Sequence, residues 1–162
     1  MRSPDFSHLE CSLAKTLGLV GEWWTLLIIR DLFFGLRRFD ALRRDLGIAR
    51  NVLTERLRKL EEHGLVKRHR YSERPERFEY RLTRKGKDLY GATLALMAWA
   101  DRWEAPDGPP VILRHGSDTH AIEPVVVCGR CGGPLRPREV KAEAGPGAKR
   151  LEALPTPLRP DS

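Results

Sequence analysis

The feature that most constrains this fold is a pair of short helical patterns separated by a single glycine. The first pattern covers 39–46, Gly47 follows it, and the second pattern runs over 49–63 to Gly64. Their apolar residues recur every three or four positions: Phe39, Leu42 and Leu46, then Leu53, Leu57 and Leu60. Glycine allows the tight turn that joins two packed helices. Helices of about 8 and 14 residues joined in this way predict a helix-turn-helix.

Two strand-like segments, 65–71 and 78–82, come directly after the second helix. The latter alternates apolar residues, expected to face inward, with charged residues, expected to face outward: Phe78, Tyr80 and Leu82 against Arg77, Glu79 and Arg81. The residues between them, 72–77, include Pro75 and form the expected hairpin tip. A β-hairpin in this position predicts a wing, which lies over the backbone or minor groove of DNA.

Helical patterns flank this motif on both sides. The segment 23–34 is apolar nearly all round, which predicts a core helix buried on several sides, and a short helix over 12–20 precedes it. Thr83 is expected to cap one long helix that ends near Glu104. Its apolar stripe is wider than one small domain needs: Leu89, Thr93, Leu96, Ala100 and Trp103, flanked by Tyr90, Leu94 and Met97. The surplus is expected to pack on a second copy, or alternatively on the first two helices of the same chain.

Charge is concentrated in the same region as the motif. Between Arg37 and Lys85 there are 16 basic and 8 acidic residues, a net charge of +8, whereas the whole chain carries +7. A polyanion such as nucleic acid is the partner that this segment favours, although charges that only solvate the surface give the same balance.

The remaining composition argues against a secreted or membrane protein. The longest largely apolar run, 23–29, has seven residues, far short of the roughly 20 that a membrane-spanning helix needs. Three cysteines cannot all pair in disulfides, which indicates a reducing compartment. We therefore expect a cytoplasmic protein.

In order and spacing, six segments resemble the HxlR-type winged-helix transcriptional regulators, bacterial relatives of the MarR group. The segments are Cys11, 21–25 (GEWWT), 38–42 (RFDAL), 53–60 (LTERLRKL), 64–68 (GLVKR) and 80–86 (YRLTRKG). The resemblance implies a homodimer, formed through helix 83–104 and the helix over 12–20, that binds operator DNA with the helix beginning near Ala49 in the major groove. Two positions depart from the family pattern: Ala49 stands where the family usually has serine, and Trp23 where it usually has a small or basic residue.

The candidate DNA contacts lie on the second motif helix, just before the first, and on the wing. They are Arg38, Arg50, Asn51, Thr54, Arg58, Arg68, Arg70, Arg74 and Arg77. Arg50, Asn51 and Thr54 lie in the first turns of the second helix, where guanidinium and carboxamide groups can bind base edges. The alternative for each is a phosphate contact or a solvated side chain. Arg56 lies closer to the apolar stripe and is expected to bind its own domain or a phosphate.

Cysteines supply two further hypotheses. Cys11 precedes the first helix, whose N-terminus favours the reactive thiolate, so it is a candidate sensor of oxidants or electrophiles; it can equally be a core filler. Cys128 and Cys131 resemble one half of a zinc ribbon, with His115 and His120 as tempting partners. If 111–114, 121–127 and 135–140 are successive antiparallel strands, however, the two pairs lie at opposite ends of the middle strand. We therefore predict a β-hairpin appendage with no metal and no cofactor.

The expected fold is mainly α, of mixed α+β class: a winged helix-turn-helix with a long dimerisation helix and a small C-terminal β appendage. We expect a flexible arm over 1–10, the winged-helix domain over 11–105, the appendage over 106–140, and a disordered tail over 141–162. The predicted function is sequence-specific DNA binding and transcriptional regulation, with an unknown small-molecule or thiol-reactive effector. The alternative is a winged-helix module that binds proteins. An enzyme is not expected, because no histidine lies in a recognisable nucleophile motif.

Overall fold

A computed structural model describes residues 6, 8, 9, 11–117 and 119–148. The predicted arm, apart from three residues, and the predicted tail from residue 149 lie outside the described residues. The described elements are α1 (Ser12–Val20), α2 (Trp23–Phe33), α3 (Phe39–Leu46), α4 (Arg50–Glu62), β1 (Val66–Glu73), β2 (Glu76–Leu82), α5 (Arg84–Lys87), α6 (Tyr90–Trp103), β3 (Arg114–His115) and β4 (His120–Ala121), followed by a 3-10 turn at Pro137–Glu139. The predicted mixed class is confirmed.

The helix-turn-helix consists of α3 and α4. Gly47 ends α3 at φ 62°, in the left-handed region that a residue with a Cβ rarely adopts. Ala49 is the N-cap of α4, and Gly64 follows the helix at φ 66°. The glycine positions identified in the sequence therefore mark the end of each helix, and the motif lies where the apolar spacing predicts it.

The core collects the apolar faces of α2, α3, α4 and the start of β1. Ile28 and Ile29 of α2 are fully buried, as are Leu42 of α3 and Leu53 of α4. The expectation that α2 is buried on several sides is wrong for one face. Trp23, in the first turn of α2, is 82% exposed, and Leu27, one turn further on, is 36% exposed.

The wing is a two-stranded antiparallel sheet with longer strands than predicted. β1 and β2 pair from Val66 with Leu82 to Glu73 with Glu76, with an irregularity between Arg70 and Ser72. The turn is therefore reduced to two residues, and the Ser72 hydroxyl donates to the Pro75 carbonyl at 2.9 Å. Glu79 is half-buried instead of facing outward, because Arg38 forms a β-bridge with it from the preceding loop.

The single long helix expected from Thr83 to Glu104 is wrong: two helices stand there, α5 and α6. Thr83 does cap α5, since its hydroxyl oxygen accepts from the Gly86 N–H at 3.1 Å. That hydroxyl also donates to the Gly64 carbonyl at 2.7 Å, and a Cβ on Gly86 would lie 2.1 Å from the Leu65 carbonyl oxygen. These contacts hold α5 against the end of α4 and the start of β1. A turn over 88–89 then separates α5 from α6.

The described chain divides into two compact units, one up to Thr93 and one from Leu94. This division falls within α6, whereas the sequence places the boundary at residue 105. In the second unit the three expected strands are wrong: β3 and β4 have two residues each, and Val127 forms one bridge with Pro134. Pro124 follows β4 by three residues and has no N–H with which the pairing could continue.

None of the described helices is by itself long and apolar enough to span a bilayer. Only α1 and α2 taken together reach that length and composition, and they are bent by 80° where they meet.

Candidate nucleic-acid interface

A basic cleft opens between the helix-turn-helix and the wing. Its volume is about 630 Å³, and its lining comes from the loop before α3, from α3, from the start of α4 and from both wing strands. The charged residues that line it are Arg38, Arg44, Arg50 and Arg77, with the acidic Asp40 and Glu76. Arginine is thus concentrated where the second motif helix begins, beside a hairpin.

Aromatic rings hold two of these arginines in place. The guanidinium carbon of Arg38 lies 5.0 Å from the ring centroid of Tyr71, and that of Arg50 lies 5.2 Å from the ring centroid of Phe39. A cation over an aromatic face is attracted by the ring quadrupole while its N–H groups stay free to bind an acceptor. The two side chains are therefore positioned without being neutralised by these contacts.

The N-terminus of α4 adds a second source of positive potential. Its N-cap is Ala49, whose side chain cannot accept a hydrogen bond, and the first turn contains no acidic residue. The first amides of a helix have no partner within the helix and carry the positive end of its dipole. An uncapped, exposed start of this kind is a site where a phosphate oxygen can bind.

Arg58, another predicted contact, is already neutralised. It lies between Glu55, to which its Nε donates at 3.0 Å, and Glu62, with which it forms an ion pair. The hydrogen bond and charge of Glu55 raise the pKa of Arg58 further, and the pKa of Glu55 is lowered in return. Although Arg58 is on the same helix as Arg50, its charge is therefore shared with two carboxylates.

The wing arginines also differ in whether a carboxylate neutralises them. Arg70 forms ion pairs with Glu73 at 3.4 Å and Glu76 at 3.5 Å, and Arg68 stacks at 4.3 Å over the ring of Phe78. Arg74 and Arg77 form no ion pair with a carboxylate in the described part of the chain and are exposed near the tip. The tip of the wing therefore carries more uncompensated charge than its base.

The two remaining predicted DNA contacts, Asn51 and Thr54, are exposed on α4, and Arg56 lies on the same helix. Asn51 is exposed in the first turn, and the Thr54 hydroxyl donates to the Arg50 carbonyl at 2.9 Å. Arg56 forms an ion pair with Glu22 at 3.0 Å, as expected for a residue near the apolar stripe.

Arg44 and Tyr71 line the cleft and are missing from the candidate contacts predicted from the sequence. The sequence could have pointed to Arg44 through its position on the first motif helix. It contains no signal for Tyr71, because the stacking of Tyr71 with Arg38 depends on the approach of a separate loop.

The cysteines lie outside this cleft. Cys11 is exposed as the N-cap of α1. Cys128 and Cys131 lie on a tight turn in which the Gly132 N–H donates to the Cys128 carbonyl at 2.7 Å. Amide N–H groups of Cys131 and Arg130, together with the Cys131 thiol, bond to the Cys128 sulfur and lower the pKa of the Cys128 thiol. The described residues contain no group of three or more metal-ligating side chains.

The histidines form a separate pair. His115 and His120 face each other across β3 and β4, with ring centroids 5.8 Å apart.

Fold and cleft together define a winged helix-turn-helix protein of the transcription-regulator class. The profile of the HxlR-like helix-turn-helix family matches residues 19–107, more than half of the chain. The chain belongs to this family, which confirms the resemblance found in the sequence, and it is a helix-turn-helix transcriptional regulator.

Three known proteins show how much of the chain is shared. An uncharacterized HTH-type transcriptional regulator of Mycobacterium tuberculosis, Rv3095, is 50% identical over 152 residues, which cover 92% of this chain and 96% of the relative. The crystal structure of PA1607, named as a candidate transcription factor, is 33% identical, has a TM-score of 0.77 and covers 86% of this chain and 98% of its own. The oxidized form of the redox regulator HypR is 32% identical, with a TM-score of 0.53, and covers 57% of this chain and 96% of its own.

Rv3095 and PA1607 thus match this chain through much of the second unit, whereas the likeness to HypR covers little more than half of it.

Proposed function

We propose that the protein is a sequence-specific DNA-binding regulator that binds its operator as a homodimer, with α4 in the major groove and the tip of the wing on the backbone. The observation that carries the proposal is the cleft, in which Arg38, Arg44 and Arg50 surround an uncapped helix start beside the exposed wing. Arginine bound to aromatic rings can pair with guanine O6 and N7, and the free helix amides suit phosphate.

The expected role of each arginine follows from what already binds it. Arg50 lies at the first turn of α4 without a carboxylate partner among the described residues, so it is a candidate base contact. Arg74 and Arg77 at the wing tip suit phosphates, and Arg68 and Arg70 support the base of the wing. Arg58 is expected to contribute little, because binding DNA would first require separating it from Glu55 and Glu62.

Homodimerisation is supported by apolar surface that the single chain leaves uncovered. Leu13 and Leu17 of α1 are exposed, and so are Leu96, Trp99 and Trp103 of α6. Large exposed apolar residues in groups mark interaction surfaces, and a two-fold dimer matches a two-fold operator.

The test is fluorescence anisotropy with DNA from the chain's own upstream intergenic region and with random DNA of equal length, titrated with salt. We expect the upstream DNA to bind on the order of 1000-fold more tightly than the random DNA. Arg50→Ala should remove about 1–3 kcal/mol of that specific binding, while Arg58→Ala, the matched control on the same helix, should change it far less. Arg74→Ala should weaken both DNAs alike and reduce the salt slope by about one.

Weak binding that is equal on both DNAs and is lost in salt would contradict the proposal. The basic cleft would then be an electrostatic surface only, and a protein-binding winged helix would take the place of a DNA-binding one.

Cys11 supports a second proposal, that the regulator responds to thiol-reactive compounds. Its thiol is exposed at the start of α1, one of the two helices proposed to form the dimer, and HypR is described as a redox regulator. Treatment with diamide should change DNA binding by the wild type and leave Cys11→Ser unaffected. Cys131→Ser, which removes another exposed thiol, is the control; a full response in Cys11→Ser would disprove the role of Cys11.

A further inference from the structure

The second unit contains a cavity that DNA binding does not use. It lies between the second half of α6 and the chain segments that follow, and its volume is about 190 Å³. Ten of its lining residues are aliphatic or otherwise uncharged: Leu94, Met97, Ala98, Pro109, Val111, Ile112, Leu113, Ala121, Ile122 and Pro124. The remaining lining residue is Asp101. The cavity therefore combines an apolar wall with a single negative charge.

Among the described residues, Asp101 has no charge partner that would explain its place in this wall. Its carboxylate forms no ion pair or side-chain hydrogen bond with them, and the residue is half-buried. A carboxylate that is partly removed from water gains most when a cation or hydrogen-bond donor reaches it. The cavity itself supplies neither.

The cavity opens to solvent, since Val111 and Ile112 in its lining are exposed, and its volume suits a small ligand. An apolar cavity of about 150 Å³ is known to bind benzene, so a volume slightly larger than that holds one compact ring with a short substituent. Most drug-sized pockets are larger, from about 300 Å³ upward. We propose that this cavity binds a small organic cation in which a primary amine is attached to a compact apolar body, with the amine at Asp101.

The position of the cavity on α6 connects the proposed ligand site with the proposed dimer surface. Leu94, Met97, Ala98 and Asp101 lie on one face of the helix, because they follow each other at intervals of three, one and three residues. Leu96, Trp99 and Trp103 lie on the opposite face at 100° per residue, and all three are exposed. A ligand on one face would thus contact the same two helical turns that present the proposed dimer surface. This regulatory role rests on the proposed function, whereas the binding site does not.

The experiment uses the full chain and three probes that share a phenyl ring and carry a cationic, a neutral and an anionic polar group: benzylamine, benzyl alcohol and benzoate. Binding is measured by ligand-observed NMR titration. We expect benzylamine to bind most tightly, benzyl alcohol more weakly, and benzoate least, since the carboxylate of the probe would approach that of Asp101.

Variants separate the charge from the cavity. Asp101→Asn should lower the affinity for benzylamine by roughly fivefold or more and leave benzyl alcohol unchanged. Asp107→Asn, an exposed carboxylate in the same unit, is the matched control and should change neither. Ala98→Leu, which fills the cavity, should abolish binding of both probes. If that variant does not fold, judged by circular dichroism, the comparison of Asp101→Asn with Asp107→Asn still decides.

Three results would overturn the proposal: no binding of any probe to the wild type, equal binding of benzylamine and benzyl alcohol, or an undiminished affinity for benzylamine in Asp101→Asn. The effect of benzylamine on DNA binding is measured separately by anisotropy. If the amine binds and the affinity for DNA does not change, the site stands and its regulatory role is wrong. If the chain without ligand fails to bind its upstream DNA, the proposed function fails and the NMR result is unaffected.

Discussion

The two units of this chain bury their apolar residues very differently. Among the described residues, all buried apolar side chains lie in the first unit, from Ala14 to Val66, and all of them except Ala14 form one cluster around α2 and α4. In the second unit no described residue is buried, and several large apolar side chains are exposed, among them Trp99, Trp103 and Val126. The first unit therefore has its own core, and the second lacks one in a single chain.

This difference shows where each part of the function is expected to reside. A tightly packed domain can hold α4 and the wing rigidly, which a DNA-binding surface requires. A unit with exposed apolar surface gains stability from a second copy or a ligand. Predictions that separate the two units follow from this contrast.

The largest expected effect is the loss of a core side chain from the first unit. Leu57 is 1% exposed within the cluster, so Leu57→Ala should lower the free energy of unfolding by about 2–5 kcal/mol. Val126→Ala, at a position that is 62% exposed, should change it by less than about 0.5 kcal/mol. Urea unfolding measures both, and equal losses would mean that the second unit has a core of its own.

The second largest expected effect is on self-association through the exposed apolar surface of the second unit. Trp99 is 57% exposed, so in the single chain its truncation removes few contacts. If it lies at the centre of a dimer interface, Trp99→Ala should weaken self-association by about 2 kcal/mol or more. Sedimentation equilibrium gives the dissociation constant. Arg102→Ala, an exposed position on the same helix, is the control, and an unchanged constant in Trp99→Ala would move the interface elsewhere.

A smaller effect, with opposite signs at two glycines, is expected near the start of α6. Gly86→Ala places a Cβ 2.1 Å from the Leu65 carbonyl oxygen and should cost about 1–3 kcal/mol. Gly91 lies in α6 with nothing within 4 Å of the added atom, so Gly91→Ala should stabilise the protein by about 0.5–1 kcal/mol. Thermal unfolding of the two variants measures this. Stabilisation by both would show that α5 is not held against Leu65.

The smallest predicted effect is a pH dependence within the first unit. Asp31 is fully buried, and burial raises its pKa even though Arg30 binds one carboxylate oxygen at 2.6 Å. The other oxygen, Oδ2, has no hydrogen-bond partner in the described structure. Because folding raises the pKa of Asp31, protonation of this carboxyl group stabilises the folded state. That stabilisation is fully present below the unfolded pKa of about 3.9 and is lost as the pH rises through the folded-state pKa.

Asp31→Asn should remove that dependence. Urea unfolding at increasing pH should show that the wild type loses stability relative to Asp31→Asn over this window. Asp40→Asn, at an exposed position, is the control, and the wild type should not lose stability relative to it in the same way. A constant difference between the wild type and Asp31→Asn would contradict a raised pKa.

Much of the first unit could be predicted from the sequence, because local signals there agree with the fold. The leucine spacing located α3 and α4, and glycines 47 and 64 located their ends. The concentration of arginine marked the face on which the cleft opens. What failed were features that depend on distant contacts: the break between α5 and α6, the half-buried Glu79, and the missing strands of the second unit.

The candidate contacts divide in the same way. Their residue types and their places on α4 and the wing follow from the sequence. The neutralisation of Arg58 follows from the sequence as well, because Glu55 stands three residues before it and Glu62 four residues after it on α4. No acidic residue has that spacing from Arg50. Only the structure shows that Arg50 stacks on Phe39.

By itself, the sequence determined the helix-turn-helix, the wing and the basic character of their common face, because periodicity, turn residues and charge act over short distances along the chain. Tertiary structure decided which aromatic rings position Arg38 and Arg50, where the last helix breaks, and that an apolar cavity with one carboxylate forms beside α6. These features depend on contacts between segments far apart in sequence, such as Gly86 against Leu65, whose geometry no local pattern encodes.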